Sequence, residues 1–492
     1  MSVRGTARRL IDHFPAALAR LGLVDRDPAT EAFDLAVPVM VTGGFRVLLR
    51  MADFVFVGLA LGDAAIAGLE LGFQYYFIGF GLSLALTSGT ISVVSRLQGG
   101  GERDRADLAV KQSLWLALAV AIPLSALSWV FAEPLVALLS DDPAVVGFGA
   151  AYLAVVMLSL PFRFWSMVAA RALAGSADTR TPMYVRLLSL PTNVVLNAVL
   201  VFGLGPAPRL GVVGAALGTA IANALAGLIF FALLASGRYA ISLPLRGPQF
   251  DASLTAEIVR VATPLTGMRL LQSTARFPFL FVLGVIGTPA LAAYAIGRRV
   301  MLLALMPAWG YATAASTLVG QAIGGGEEGA ATHYGWQTLR IGLATQLLFG
   351  AALVAGARPI AALFGTEHVA LTVDFIRVFG LGTAGFSASR VMRGSLRGAG
   401  DTRWPLYGTF LGSYVVRLPL AALALPAAFS ITLGGISITP GMGMGTVAIF
   451  LAILGDFYTK AAVNTGRFHS GRWKAVARRA SVGAGGEASE DG

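Results

Sequence analysis

The sequence predicts an all-α membrane protein of about twelve transmembrane helices, in two six-helix lobes related by a pseudo-twofold axis along the membrane normal. Three observations carry this. The apolar excess is too large for a water-soluble fold, the apolar runs are long and continuous, and a set of landmarks occurs twice along the chain.

The 492-residue chain is 56% hydrophobic and 13% charged, with a mean hydropathy of +0.73. A soluble domain needs a polar skin that this composition does not supply. In a bilayer, apolar side chains face lipid, and runs of about 20 apolar residues become the structural unit. The backbone must then be satisfied within each run, which selects helices. A barrel would show short alternating strands instead. The 60 glycines suit close helix packing in lipid. With no cysteine, disulfides, thiolate metal sites and cysteine nucleophiles are excluded.

Spans are expected near 33–58, 64–96, 108–131, 147–170, 183–203 and 211–235, then near 261–284, 290–321, 334–356, 369–391, 405–427 and 441–463. Turn formers separate them, such as Gly205-Pro206-Ala207-Pro208 and Asp141-Asp142-Pro143. Lys and Arg crowd the N-terminus, alternate loops and the C-terminal tail, whereas the opposite loops hold Arg209 and Arg358. That asymmetry predicts both termini in the cytoplasm, in a plasma (inner) membrane protein. It also accounts for the net charge of +11 without a nucleic-acid partner. No cleavable signal is expected, since no short apolar segment with a small-residue cleavage site follows Arg8-Arg9.

Two halves align at an offset of 223 to 226 residues. Pro38 and Gly58 match Pro264 and Gly284. Gln98-Gly-Gly-Gly-Glu102 matches Ile323-Gly-Gly-Gly-Glu327. Gly175-Ser-Ala-Asp-Thr-Arg-Thr-Pro-Met-Tyr184 matches Gly398-Ala-Gly-Asp-Thr-Arg-Trp-Pro-Leu-Tyr407. Six spans per half is an even number, so both halves enter the membrane in the same sense, around a shared cavity. The expected divisions are a cytoplasmic segment over 1–32, an N-lobe with linker over 33–250, a C-lobe over 251–463 and a partly disordered tail over 464–492. One chain contains both lobes, so it is expected to work as a monomer.

Together these landmarks resemble the multidrug and toxic compound extrusion (MATE) family. The resemblance spans nearly all of 33–463 and rests on four signs: Pro38 with Asp53-Phe-Val-Phe-Val-Gly58; the two Gly-x-x-Asp-Thr-Arg-x-Pro loops; Asn193-Val-Val-Leu-Asn197 with Leu200-Val-Phe-Gly203; and Gly211-Val-Val-Gly-Ala-Ala216. It implies export of small organic compounds, often cationic or amphiphilic, driven by inward H⁺ or Na⁺ and needing no cofactor. It also implies a coupling site in the N-lobe that includes Asp53, Asn193 and Thr219. The family's second carboxylate on span 5 falls on Asn197 here, so the chain departs from the usual pair of carboxylates.

An ionisable residue within a span is costly unless it is paired or hydrated. From the span ends, Asp53, Glu70, Asn197 and Thr219 are each expected roughly 10–14 Å from the outer side. Asp53 is then the ion acceptor, Asn193, Asn197 and Thr219 supply oxygens or hydrogen bonds, and Glu70 stands in for the missing carboxylate. Two carboxylates in apolar surroundings suit proton capture; Na⁺ would instead need several hard oxygens. The structural alternative is that Asp53 and Glu70 neutralise Arg46 and Arg50. Pro38 would kink span 1, and a kink that follows the ion would link it to cavity shape. In the C-lobe, Phe279 replaces Asp53, Val416 and Leu420 replace the asparagines, and Arg269, Arg276, Arg298, Arg299 and Arg417 stand within spans. Coupling is therefore expected in the N-lobe alone. The arginines would meet anionic substrate groups or headgroups, or else carbonyls and cavity water. Candidate cavity-lining residues are Arg50, Tyr76, Arg276, Tyr294 and Met301. Asp374 and Asp456 are expected to be solvated near span ends. The Asp-Thr-Arg-x-Pro loops read as hinges, with Asp as a cap and Pro in the first turn.

An enzyme is disfavoured. The glycine triplets lack a following Lys-Ser/Thr, no His-Glu-x-x-His occurs, and Asp141-Asp142 has no second acidic cluster to share a metal. A lipid or lipid-linked-sugar flippase of related two-lobe architecture is the alternative transport reading.

Overall fold

The computed structural model describes residues 13–61, 63–138, 142–244, 246–364, 368–433 and 436–485, and not every side chain within them, chiefly between residues 46 and 85. The Arg8-Arg9 pair lies outside these. After a short helix over 13–20, the chain forms α1 (Arg26–Leu61), α2 (Asp63–Gly99), α3 (Arg103–Val130), α4 (Ala132–Ala137), α5 (Pro143–Leu158), α6 (Leu160–Gly175), α7 (Arg180–Phe202) and α8 (Gly211–Ala235). It continues with α9 (Ala252–Thr274), α10 (Arg276–Ile286), α11 (Thr288–Ala304), α12 (Met306–Gly324), α13 (Glu328–Ala355), α14 (Ala357–Ala362), α15 (Val369–Gly398) and α16 (Arg403–Phe410). A π-helical turn, Leu411–Arg417, leads into α17 (Leu418–Ala422). A hairpin pairs Ile431–Leu433 with Ile436–Ile438, before α18 (Thr446–His469) and α19 (Trp473–Gly485).

Seven described helices are long and apolar enough to cross a bilayer, and two bent pairs bring the number to nine. The bends are 49° between α5 and α6, and 46° between α11 and α12. The long α1 and α2, and α16 running on into α17, supply the remaining segments of the expected twelve. Each observed segment overlaps its expected span, but most are longer. Polar ends extend a membrane helix beyond its apolar run, because the backbone still gains its own hydrogen bonds there.

The duplicated loops fold alike. Glu102 N donates to Leu97 O at 2.9 Å, and Glu327 N donates to Ala322 O at 2.8 Å. Gly101 and Gly326 turn both chains with φ of 75° and 78°, values that glycine adopts without strain. In the second loop pair, Asp178 N and Asp401 N each donate 2.8 Å bonds, to Leu173 O and Leu396 O. Asp178 Oδ1 accepts from Arg180 N and Thr181 N, at 3.1 and 2.9 Å, as a capping residue should. Asp401 has a different partner, Arg467 Nε at 2.7 Å. Burial raises the pKa of the Asp401 carboxyl against the opposing pull of Arg467.

By packing, the chain divides into one unit of Pro38–Thr263 and another of Met1–Val37 with Pro264–Gly492. The lobes expected at 33–250 and 251–463 were drawn between helices, whereas these divisions fall inside α1 and α9, at the two matched prolines. In the first unit, Arg96 pairs with Glu257 at 2.7 Å, and a Cβ on Gly89 would lie 2.5 Å from Ile258 O, so the start of α9 lies tight against α2. Its apolar core includes Leu69, Leu153, Phe164 and Phe230. In the second unit, Gln337 exchanges hydrogen bonds with Asp25, 2.9 Å from Asp25 N and 2.6 Å from Asp25 Oδ2. Tyr334 OH donates to Glu31 at 2.9 Å, so the start of α1 is held by α13.

The tail, expected to be partly disordered over 464–492, is helical over most of its described residues, and residues 486–492 lie outside them. Residues 464–469 complete α18, and α19 is ordered against it. Trp473 is fully buried, stacks on Phe468 with centroids 5.0 Å apart, and donates to Phe468 O at 2.9 Å. Arg478 Nη2 reaches Glu328 at 2.9 Å.

Candidate functional site

In the Pro38–Thr263 unit, α7 carries Asn193 and Asn197, and α8 carries Thr219 and Asn223. Small residues on α8 let the two helices meet closely. A Cβ on Gly214 would lie 2.5 Å from Leu200 O. One on Gly218 would strike Asn197 Oδ1 and lie 2.9 Å from Asn197 N. Across this contact Asn193 Nδ2 donates to Thr219 Oγ1 at 3.1 Å, and Asn197 is fully buried. One turn further along α8, Asn223 Nδ2 donates to Tyr76 OH and to Ser159 Oγ, both at 3.1 Å. Ser159 sits at the bend between α5 and α6 and donates to Val156 O at 2.7 Å. Asn223 and Ser159 join the residues expected from the sequence. Asn223 was visible as a second polar residue on the Thr219 face; Ser159 was not, since only the bend brings it there.

The end of α1 closes against the turn between α7 and α8. Arg209 Nη2 donates to Ala60 O at 3.0 Å, and Phe56 meets the Phe202 ring edge-on at 5.9 Å. A Cβ on Gly211 would lie 2.8 Å from Leu61. Position 53 stands one turn before buried Val57 and two before Leu61, on the same helical face. At 1.5 Å per residue it lies roughly 12 Å from Leu61, as Thr219 does from Gly211. The side chains of Arg46, Arg50, Asp53 and Glu70 lie outside the described residues. Pro38 is buried within α1, and its carbonyl accepts from Thr42 Oγ1 at 2.7 Å.

The other unit has the opposite polarity. Phe279, at the position matching Asp53, is fully buried and lies 3.9 Å beneath the Arg417 guanidinium. Arg417 closes the π-turn, a local widening that recurs at functional sites. Asp456 was expected near a span end and solvated. It is buried mid-helix, 2.7 Å from Lys460 Nζ, and accepts from Ser413 Oγ at 3.1 Å. A carboxylate at that depth needs such a partner. Asp374 is exposed, as expected. Tyr294 is packed by Phe279, Phe375 and Phe379 at 5.4 to 6.0 Å, and Met301 is 3% exposed. Both belong to the apolar core of their unit, where aromatic packing surrounds Tyr294. Tyr76 is buried too, as a hydrogen-bond partner of Asn223. Arg276 is exposed. Among the described residues no cluster of three or more His, Cys, Asp or Glu could hold a metal.

Duplicated halves of long apolar helices, each with polar side chains enclosed at depth, define a multi-pass membrane transporter. The chain belongs to the MATE family: the MatE model matches residues 38–199 and 264–423, starting in both halves at the prolines where the packing units divide. It is 28% identical over 429 residues to the "Probable multidrug resistance protein NorM" of Bradyrhizobium diazoefficiens, covering 85% of this chain and 91% of that one. A protein of the same name from Thermotoga maritima is 26% identical over 449 residues, covering 90% and 93%. A crystal structure of MATE in the bent conformation matches with a TM-score of 0.82 at 20% identity, covering 92% of this chain and 97% of that one.

Proposed function

We propose that the protein is a secondary antiporter of the plasma membrane, exporting small organic compounds in exchange for inward H⁺ or Na⁺ captured at Asp53. Both termini face the cytoplasm. The observation that carries this is the enclosed polar group of Asn193, Asn197, Thr219 and Asn223, at the depth of position 53, in helices otherwise built for lipid. Buried polar side chains in a membrane mark ion and solute paths by default. The multidrug-resistance names of the relatives support organic solutes as cargo and weigh against a lipid flippase.

The ion's role follows from charge. A carboxylate in this setting is costly when bare and stable when it holds a cation. Asn193 and Thr219 offer a carbonyl and a hydroxyl oxygen beside it. Asn197, in place of a second carboxylate, leaves the site with one fewer negative charge to neutralise per cycle.

The test is dye flux in proteoliposomes, with H⁺ and Na⁺ gradients imposed separately and amphiphilic dyes of either charge. The expected result is uptake driven by one gradient and lost in Asp53→Asn. Gradient-driven uptake that survives Asp53→Asn would overturn the assignment.

A further inference from the structure

Helices α9 and α15 bring together arginines that the coupling reaction does not use. Arg390, Arg393 and Arg397 stand at i, i+3 and i+7 on α15, one face of one helix. The apolar run of this span ends near residue 391, so the last two fell in an expected loop; the helix instead continues to Gly398. Arg269, on α9, directly follows Met268, which Arg393 touches at 3.0 Å, and so lies beside this row.

Their partners are the wrong kind to neutralise them. Arg393 Nη1 meets the Met268 thioether at 3.0 Å, where a carboxylate would be expected. Arg390 lies over the Trp309 and Phe386 rings, 4.6 and 4.9 Å from their centroids, and its buried Nε–H has no hydrogen-bond acceptor among the described residues. Arg397 is anchored by Ser316 Oγ and Ala312 O at 3.1 and 3.2 Å. No described carboxylate forms an ion pair with Arg269, Arg390 or Arg393. Three like charges held together in partly buried positions, with no counter-charge among the described residues, are strongly unfavourable. Lipid-exposed arginines would snorkel apart; these converge, and Arg397 beside them is tied down.

We infer that this arginine cluster is an oxyanion site, which takes a carboxylate, sulfonate or phosphate group of a transported compound or of a lipid headgroup. Guanidinium groups bind such anions through paired N–H bonds, and the Arg390 Nε–H supplies a free donor. The inference deepens the proposed export and rests on it, by giving the cargo its charge. The ion enters in one unit and the anionic group is held in the other. An anion in this site would also relieve the repulsion among its arginines, so bound and empty states differ in energy, as alternating access needs.

The test is equilibrium binding, which stands apart from the flux result. The full chain is placed in phosphatidylcholine nanodiscs and titrated with carboxyfluorescein, read by anisotropy. Saturable binding should weaken about tenfold or more in Arg390→Ala and in Arg393→Gln, and stay unchanged in Arg377→Gln, an exposed arginine of the same helix. Arg390→Lys, which keeps the charge but not the fork, should weaken it less. Native mass spectrometry of protein from phosphatidylglycerol membranes is the second arm. Lipid retained by wild type and lost from the same variants would make the headgroup phosphate the source of the anion. Equal dye binding by variants of unchanged melting temperature, with equal lipid retention, would overturn the proposal. So would ethidium binding that depends on the same arginines.

Discussion

Gly218 is the residue on which the geometry of the candidate coupling site turns. It leaves no room between α8 and Asn197, so Gly218→Ala must displace the amide or part the helices. A cost of about 1–3 kcal/mol is expected for such overpacking. A lowered melting temperature together with impaired coupling is the predicted outcome; a variant with wild-type values in both would show that the contact is slack. Ala177 makes the opposite case. Its φ is 65°, and it is the sole described non-glycine residue with a positive φ; the matching residue of the second half is Gly400, with φ 81°. Left-handed backbone costs an alanine about 1 kcal/mol, more than the entropy a glycine adds to the unfolded chain. Ala177→Gly should therefore raise the melting temperature in detergent, and a fall would contradict the strain. Little of this was visible beforehand. The sequence named Asn193, Asn197 and Thr219, but not the glycine that presses on them. A polar residue in an apolar run is conspicuous, whereas a glycine among 60 is not.

Among the elements, α1 carries the mechanical claim. Pro38 interrupts its hydrogen bonding, and the packing units divide at that residue. If the helix flexes there as the ion comes and goes, Pro38→Ala should keep the fold, hold or raise the melting temperature, and slow gradient-driven dye flux at least about tenfold. Flux at the wild-type rate would leave the proline a static bend. The spans themselves were legible because apolar length sets a membrane helix, and α8 was placed to the residue at both ends. Polar extensions were not legible. The end of α15 looked like a loop because Arg393 and Arg397 lie beyond the apolar run, yet the helix holds them and so builds the arginine cluster. Asp456 was misplaced for a related reason: Lys460, one turn away, supplies the charge that allows a carboxylate to stay buried.

Over the whole molecule the duplication is the dominant fact, and two prolines mark it. Pro38 and Pro264 open the matching halves of the sequence, the family matches, and the packing units. The halves keep the same loops and helix order while their enclosed chemistry diverges. One holds amides and a hydroxyl beside the level of Asp53; the other holds a phenylalanine under an arginine and a cluster of guanidinium groups. A duplicated fold with opposite polarities in its halves can bind a cation in one and an anionic group in the other. The central claim is that the first half captures the driving ion. Charge displacement on a solid-supported membrane tests it most directly, with H⁺ or Na⁺ stepped in the absence of any organic substrate. A saturable transient is expected for one of the two ions in wild type, and it should disappear in Asp53→Asn. A transient of undiminished size in Asp53→Asn would contradict it.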